Sequence, residues 1–424
     1  MSTTKEHIGK HYDVVVVGGG PSGMMAAGRA AENGKRVLLL EKNKKLGKKL
    51  DVTGGGRCNI FNAEPDKRKL AEKYGDAGKY LHSAFAQFAM EDAWKFFEDR
   101  GVPIVVEARK RAFPKSQKAT DITDTMRKYV ISNGVTIRTG IRAKGFITDE
   151  KSGKIAGITT NKESFAGDSF VLATGGASHP ETGASSEGVS WLTEFGHTVH
   201  EANPNIVPLK VEDEWVKKLS GTTLSFMKIT FGTNLTKEQG RFSKTGKILF
   251  THFGLSGPLI LNSSFEVKKL LKGGPVEAAI DMYPDTDIGT LRRRILEVFN
   301  KNKNKELRSV LKEFVPNGMA DAVAAQFDTT LQHTRVHSIE KEVRHALVDR
   351  LKAMPLTIID TMGLDRAVIS DGGIDMKEVD TKTMRSKKVE NLFLTGDVLH
   401  INRPSGGFSL QLCWTTGWIA GNNA

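Results

Sequence analysis

Cysteine is scarce in this 424-residue chain: Cys58 and Cys413 stand far apart, without metal-ligand spacing. That excludes a disulfide-stapled fold and fits a reducing cytoplasm. Long apolar runs are also absent, so no segment reads as a membrane span. The polar start, MSTTKEHIGKHYD, lacks the apolar core of a signal peptide, and a cytoplasmic location is expected. There is no internal repeat and no low-complexity linker. Cys-x-x-Cys, His-Glu-x-x-His and Gly-x-Ser-x-Gly are all missing, which leaves disulfide reductases, metalloproteases and serine hydrolases without support. No metal site is expected.

Positive charge is in excess. Lysine and arginine number 62 against 49 acids, a formal net charge of +13. The basic residues cluster at 42–49, 109–118, 268–272 and 292–308. Such clusters read either as a solvated lysine surface or as one that attracts polyanions, RNA among them. Hydrophobic residues make up 39% and charged ones 26%, as in globular chains of roughly two or three domains at this length.

The apolar run Tyr12 to Val17 has the pattern of a buried parallel strand. A glycine turn, an alanine-rich helix from Ser22 to Asn33 and a second strand, Lys35 to Glu41, complete a βαβ unit. Residues 64–133 read as mainly helical, with helices over 80–100 and 119–132. Short strands follow to position 173, and residues 205–283 gain Thr, Phe and Gly in a β-rich pattern. A charged helical stretch leads back to strands at 361–370 and 391–395 and a final helix over 409–420. The expected division is 1–200 for a first nucleotide-binding part, 201–284 for a β-rich insertion, 285–354 for a helical insertion and 355–424 for the closing part.

The turn after the first strand is Gly18-Gly19-Gly20-Pro21-Ser22-Gly23, a G-x-G-x-x-G that opens a helix. Gly18 allows the tight turn, Gly20 the approach of a pyrophosphate, and Gly23 close helix–strand packing. From Ser22 onward the helix N-terminus offers unpaired N–H groups to phosphate. Glu41 ends the second strand about 20 residues on, where an acid accepts from ribose hydroxyls and favours FAD or NAD over NADP. At the far end, Val171 to Gly176 and Asn391 to Leu399 are apolar strands ending in glycine turns, with Asp397 placed for a ribityl hydroxyl. Gly406 and Gly407 lead into the last helix, whose N-terminus would stabilise negative charge on a reduced flavin. FAD is therefore expected. No second G-x-G-x-x-G is present, so NADH or NADPH would bind transiently.

Together, GGGPSGMMAA, LLLEKNKKLGKKLDVTGGGRCN, LFTHFGLSGP and GGFSLQLCWTTGWIAG resemble the bacterial BaiN/RdsA-type flavoproteins over nearly the whole chain. That family includes aminoacetone oxidase-like enzymes, a bile-acid dehydro-intermediate reductase and a 23S ribosomal RNA dihydrouridine synthase. The resemblance implies an α/β fold. Its parts would be a discontinuous FAD-binding Rossmann domain of the glutathione-reductase type, an inserted β-barrel-like domain and a small helical domain. It also implies that Gly18, Gly20, Ser22, Gly23, Glu41 and Lys42 hold the adenosine half of FAD. Thr53, Gly54, Gly55, Gly56, Arg57, Cys58 and Asn59 would line the flavin, with Gly175, Asp397, Gly406, Gly407 and Phe408 completing the site. Four departures lie near that site: Asp397 and His400 replace a Glu and an Asp of the family string, Ser409 replaces an Asn, and Ala177-Ser178-His179-Pro180 stands where the family has Lys-Ser-Tyr/Val-Pro.

Two side chains are candidates for chemistry. His252, in Thr251-His252-Phe253-Gly254, is either a proton donor from the β domain or a satisfied structural histidine. Arg57 needs an anionic or carbonyl partner, for which a pyrophosphate, a flavin carbonyl or a substrate anion would serve. Cys58 reads as packing rather than as a redox thiol, and a bond to Cys413 would require the last helix to cover this loop. The expected activity is an NAD(P)H-driven reduction of a conjugated C=C bond, with uridine in ribosomal RNA as a substrate that gives the basic clusters a use. A small-amine oxidase producing hydrogen peroxide and a non-catalytic FAD-containing RNA-binding protein are the alternatives.

Overall fold

The computed structural model describes residues 9–183, 185, 187–235, 240–316, 318–367 and 369–424. They form two compact units, residues 1–204 with 368–424, and residues 205–367.

The first unit is built on strand β1 (His11–Val17), helix α1 (Pro21–Glu32) and strand β2 (Val37–Glu41). β1 pairs in parallel with β2, Val14 opposite Val37, and on its other side with Ser164–Leu172, Val17 opposite Leu172. Strand Thr136–Thr139 extends the sheet beyond β2, and Leu392–Leu394 extends it beyond Leu172. Val14, Val15 and Val16 are fully buried, because helices cover both faces of a parallel sheet and a continuous apolar run results. The C-terminal helix, Phe408–Asn423, is buried along nearly its whole length. Its small residues let it lie directly on α1: a Cβ at Gly417 would stand 2.4 Å from Ser22 O, and one at Gly421 2.5 Å from Ala26 O.

The second unit holds a closed barrel in the order Leu209–Val211, Gly254–Ser256, Phe242–Thr251, Thr223–Gly232, Val276–Asp281, Met354–Thr361. Helices Ile288–Lys301 and Lys341–Lys352 share one apolar core with it.

Local structure departs from expectation in three places. The stretch 64–133 is not only helical, since Ile104–Glu107 and Arg111–Pro114 pair as strands, joined by Phe61–Asn62. The helix expected over 80–100 divides into Gly78–Gln87 and Met90–Glu98. Phe88 between them is extended, and the Asp92 carboxylate accepts from Ala89 N–H at 2.8 Å, restarting the helix. The residues after position 354 do not open the closing part of the first unit. Strand Met354–Thr361 completes the barrel, with Leu356 opposite Ala278 and Ile358 opposite Val276, and buries Leu356 and Ile358 there.

Candidate functional site

A cleft of about 720 Å³ opens at the carboxyl ends of the first unit's parallel strands, where doubly wound sheets bind their ligands. Its walls come from that unit alone.

At one end lies the glycine turn. Gly18 has φ +110°, and a Cβ there would stand 2.4 Å from Ala173 O; a Cβ at Gly23 would stand 1.8 Å from Gly18 O. Both glycines serve the fold itself. Gly20 differs, because a Cβ there would meet no protein atom within 4 Å. The space beside Gly20 belongs to the cleft, at the N-terminus of α1, and has the form of a phosphate cradle. The buried Glu41 accepts from Gly19 N–H at 2.8 Å and from Asn43 N–H at 2.7 Å. It thereby clamps the glycine turn to the end of β2 while lining the cleft. Lys42 also lines it and donates to Ser185 Oγ at 3.1 Å.

At the other end, Val52, Thr53, Gly54 and Gly55 form one wall. The glycines of the GGG run have φ of +63°, +68° and +83°, a left-handed path that side chains strain. Val52 is 54% exposed, an apolar surface open on the cleft side. Gly175, Asp397, Ser409, Leu410 and Cys413 also line the cleft, so the C-terminal helix brings its first two turns to it. Thr174 lines the cleft as well, and its buried hydroxyl has no hydrogen-bond partner in the structure. An open phosphate cradle, an acid at the ribose position, an orphaned hydroxyl and an apolar wall all fit FAD.

Other expected residues are placed away from this wall. Gly56, Arg57, Cys58, Asn59, Gly406, Gly407 and Phe408 are not among the cleft residues. Arg57 pairs with Glu107, donates to Gln117 Oε1 at 2.6 Å and stacks over Phe113 with 4.3 Å to the ring centroid. Its charge is met by protein, which removes the reason for seeking its partner on a cofactor. Cys58 is fully buried with φ +57°, and burial raises its thiol well above the usual range. Burial, aided by Asp397, pushes Cys413 up to about 12. Both cysteines are free, so no bridge links them, and neither is a thiolate nucleophile. His252 is exposed in the barrel turn between Thr251 and Gly254, its ring edge-on to Phe253 at 4.9 Å. Its catalytic role is an open proposal.

Two side chains of the site went unread in the sequence. Arg403, 3% exposed, pairs with Asp397 and donates to Ile401 O at 2.6 Å and Ser409 Oγ at 2.9 Å. Lys49 lines the cleft and donates to Ser178 Oγ at 2.7 Å and Ser178 O at 3.2 Å. In the sequence it is one of five lysines in 42–49; Lys44, Lys45 and Lys48 are exposed, and nothing local distinguishes the inward one.

The chain is an FAD-dependent oxidoreductase with a Rossmann-type domain. It belongs to the HI0933-like family, whose Rossmann-domain model matches residues 12–423. It is 28% identical over 424 aligned residues to a 3-dehydro-bile acid delta(4,6)-reductase of Clostridium scindens, covering 96% of this chain and 98% of the relative. A ribosomal RNA dihydrouridine synthase of Escherichia coli is 27% identical over 421 residues, covering 96% and 97%. Among solved structures, a 3-ketosteroid-delta4-(5alpha)-dehydrogenase of Rhodococcus jostii superposes with a TM-score of 0.56 at 14% identity, over 99% of this chain and 98% of the other. That likeness concerns the fold. No helix of the described residues is long and apolar enough to cross a membrane.

Proposed function

We propose that the protein reduces a ring C=C bond conjugated to a carbonyl, with NADH or NADPH as electron donor and uridine in ribosomal RNA as substrate. One observation carries this reading. Two relatives aligned over 96% of this chain have names that each describe hydrogen added to such a bond, in a dehydro-bile acid and in uridine. The net charge of +13 favours the polyanionic substrate of the two.

Bound FAD would supply the hydride-carrying ring, which accepts from the nicotinamide and delivers to the substrate β-carbon. The protein's part is positioning and charge. Gly20 and the N-terminus of α1 would hold the pyrophosphate, Glu41 the adenosine ribose and Asp397 the ribityl chain. Gly54 and Gly55 would leave room for the ring, and Val52 would keep water from one face. The basic clusters at 42–49 and 109–118 would hold the RNA backbone.

Mass spectrometry of ribosomal RNA from cells lacking this protein tests the proposal. Loss of a dihydrouridine, restored by the wild-type gene, supports it; an unchanged dihydrouridine content removes RNA as the substrate. Steady peroxide release with small amines, without any NAD(P)H requirement, would instead make the protein an oxidase.

A further inference from the structure

We propose that Lys49 is the cation that balances the negative charge gained when the flavin is reduced. The inference rests on FAD occupying the cleft and goes beyond that placement by assigning Lys49 to one redox state. The ammonium lies in the cleft wall. Its partners are the carbonyl and hydroxyl of Ser178, at 3.2 and 2.7 Å, and both are neutral. No carboxylate of the described residues lies within ion-pair distance of it. Ser178 is itself fully buried, so the anchor is rigid.

A buried ammonium without a counter-ion is unfavourable unless a ligand supplies the missing charge. The cost is visible in its protonation: burial lowers the Lys49 pKa, Arg403 adds to the effect, and Asp397 opposes it. Asp397 is already engaged by Arg403, so its charge is shared before it reaches Lys49.

The pyrophosphate has its own cradle at Gly20 and the N-terminus of α1. Lys49 is tied instead to the Thr53–Gly55 stretch, its carbonyl accepting from Thr53 Oγ1 at 2.9 Å. The charged and titratable groups acting on it are Asp397, Arg403, Cys413 and Glu181. With the ring lying along Thr53, Gly54 and Gly55, the anion that appears there is the reduced ring. Two electrons and one proton arrive as hydride from the dihydronicotinamide named above, leaving an oxidised nicotinamide and a ring with one added negative charge. No bond at Lys49 Nζ forms or breaks, and its role is to make that charge less costly.

The test compares wild type, Lys49→Met and Lys49→Arg, each freed of flavin and reloaded with FAD. The midpoint potential and the dissociation constants of oxidised and reduced FAD are measured. By linkage, the change in potential equals the change in the ratio of the two constants. Lys49→Met is expected to weaken reduced FAD at least tenfold more than oxidised FAD, a fall of ~30 mV for a two-electron couple. Lys49→Arg, which keeps the charge, is expected to restore most of it. Equal weakening of both states would overturn the proposal and make Lys49 a general FAD contact; an unchanged potential would overturn it as well. If Lys49→Met does not fold, Ser178→Ala replaces it: a smaller fall in the same direction supports the proposal, and no change refutes it. A wild-type protein that takes up no FAD would refute the cofactor assignment first, an outcome distinct from the others.

Discussion

The side-chain oxygen of Asn59, in the orientation its neighbours require, accepts from the backbone N–H of Gly407 at 3.0 Å. The same amide donates to Phe61 O and Ala112 O, both at 3.1 Å. This contact ties the GGGRCN loop to the start of the C-terminal helix across almost the full length of the chain. Asn62 repeats the link with a bond to Gly406 O at 3.1 Å, and Trp414 adds one to Ile60 O at 3.0 Å. Asn59, Gly406 and Gly407 therefore hold the GGGRCN loop and the start of the C-terminal helix together.

Gly407→Ala should damage this junction. The residue has φ +98°, and a Cβ would stand 2.2 Å from Phe61 C, a backbone atom that cannot move aside. The expected cost is several kcal/mol, by strain and overpacking together. Thermal unfolding of the FAD-free protein measures it; an unchanged Tm would show that the helix start can shift.

Gly20→Val and Gly23→Ala should fail in different ways. At Gly20 a Cβ meets no protein atom within 4 Å, so the FAD-free fold should unfold near the wild-type temperature while FAD retention is lost. At Gly23 a Cβ would overlap Gly18 O at 1.8 Å, so the fold itself should weaken. Differential scanning calorimetry paired with the flavin absorbance separates the two. Full FAD occupancy in Gly20→Val would disprove the phosphate placement.

Removing Arg403 should cost more than removing its whole ion pair. Arg403→Met leaves Asp397 without its partner in a largely buried place, a loss of about 3–5 kcal/mol. Adding Asp397→Asn to that variant should recover part of it. Urea unfolding of the two single variants and the double variant gives the coupling. Strictly additive losses would show that the pair acts independently.

The thiols predict an alkaline trend. Burial pushes Cys413 up to about 12 and raises Cys58 further still. A group whose folded pKa is raised supplies stability below its unfolded pKa and loses it as pH climbs toward the folded one. Between pH 9 and 12 the unfolded chain releases these protons and the folded chain keeps them. Wild type should therefore lose stability in this window faster than Cys58→Ala/Cys413→Ala. Urea unfolding at stepped pH checks the difference, and parallel curves would contradict the buried placement. A thiol reagent at pH 8 should label neither cysteine until the protein unfolds.

The local features were legible because short-range physics fixes them. The βαβ unit, the roles of Gly18, Gly20 and Gly23, and the acid at the end of β2 follow from spacing alone. Helix 119–132 appears with the bounds its pattern predicts. The break near Phe88 was hidden, because helical periodicity continues across it and only the Asp92 cap reveals a restart. The final barrel strand was also hidden: an apolar strand after a helix looks the same whether it joins one sheet or another. Arg57 illustrates the same limit in the site, since its partners Glu107 and Gln117 lie 50 and 60 residues away.

The sequence by itself determined the strand, glycine turn and helix N-terminus that open the Rossmann unit, because all three form within one short segment. Only the tertiary structure decided which charges face the cleft. Arg57 and Lys49 stand in the same basic, glycine-rich stretch. One turns outward onto Glu107 and Phe113; the other turns inward onto Ser178. That choice depends on loops brought together from distant parts of the chain.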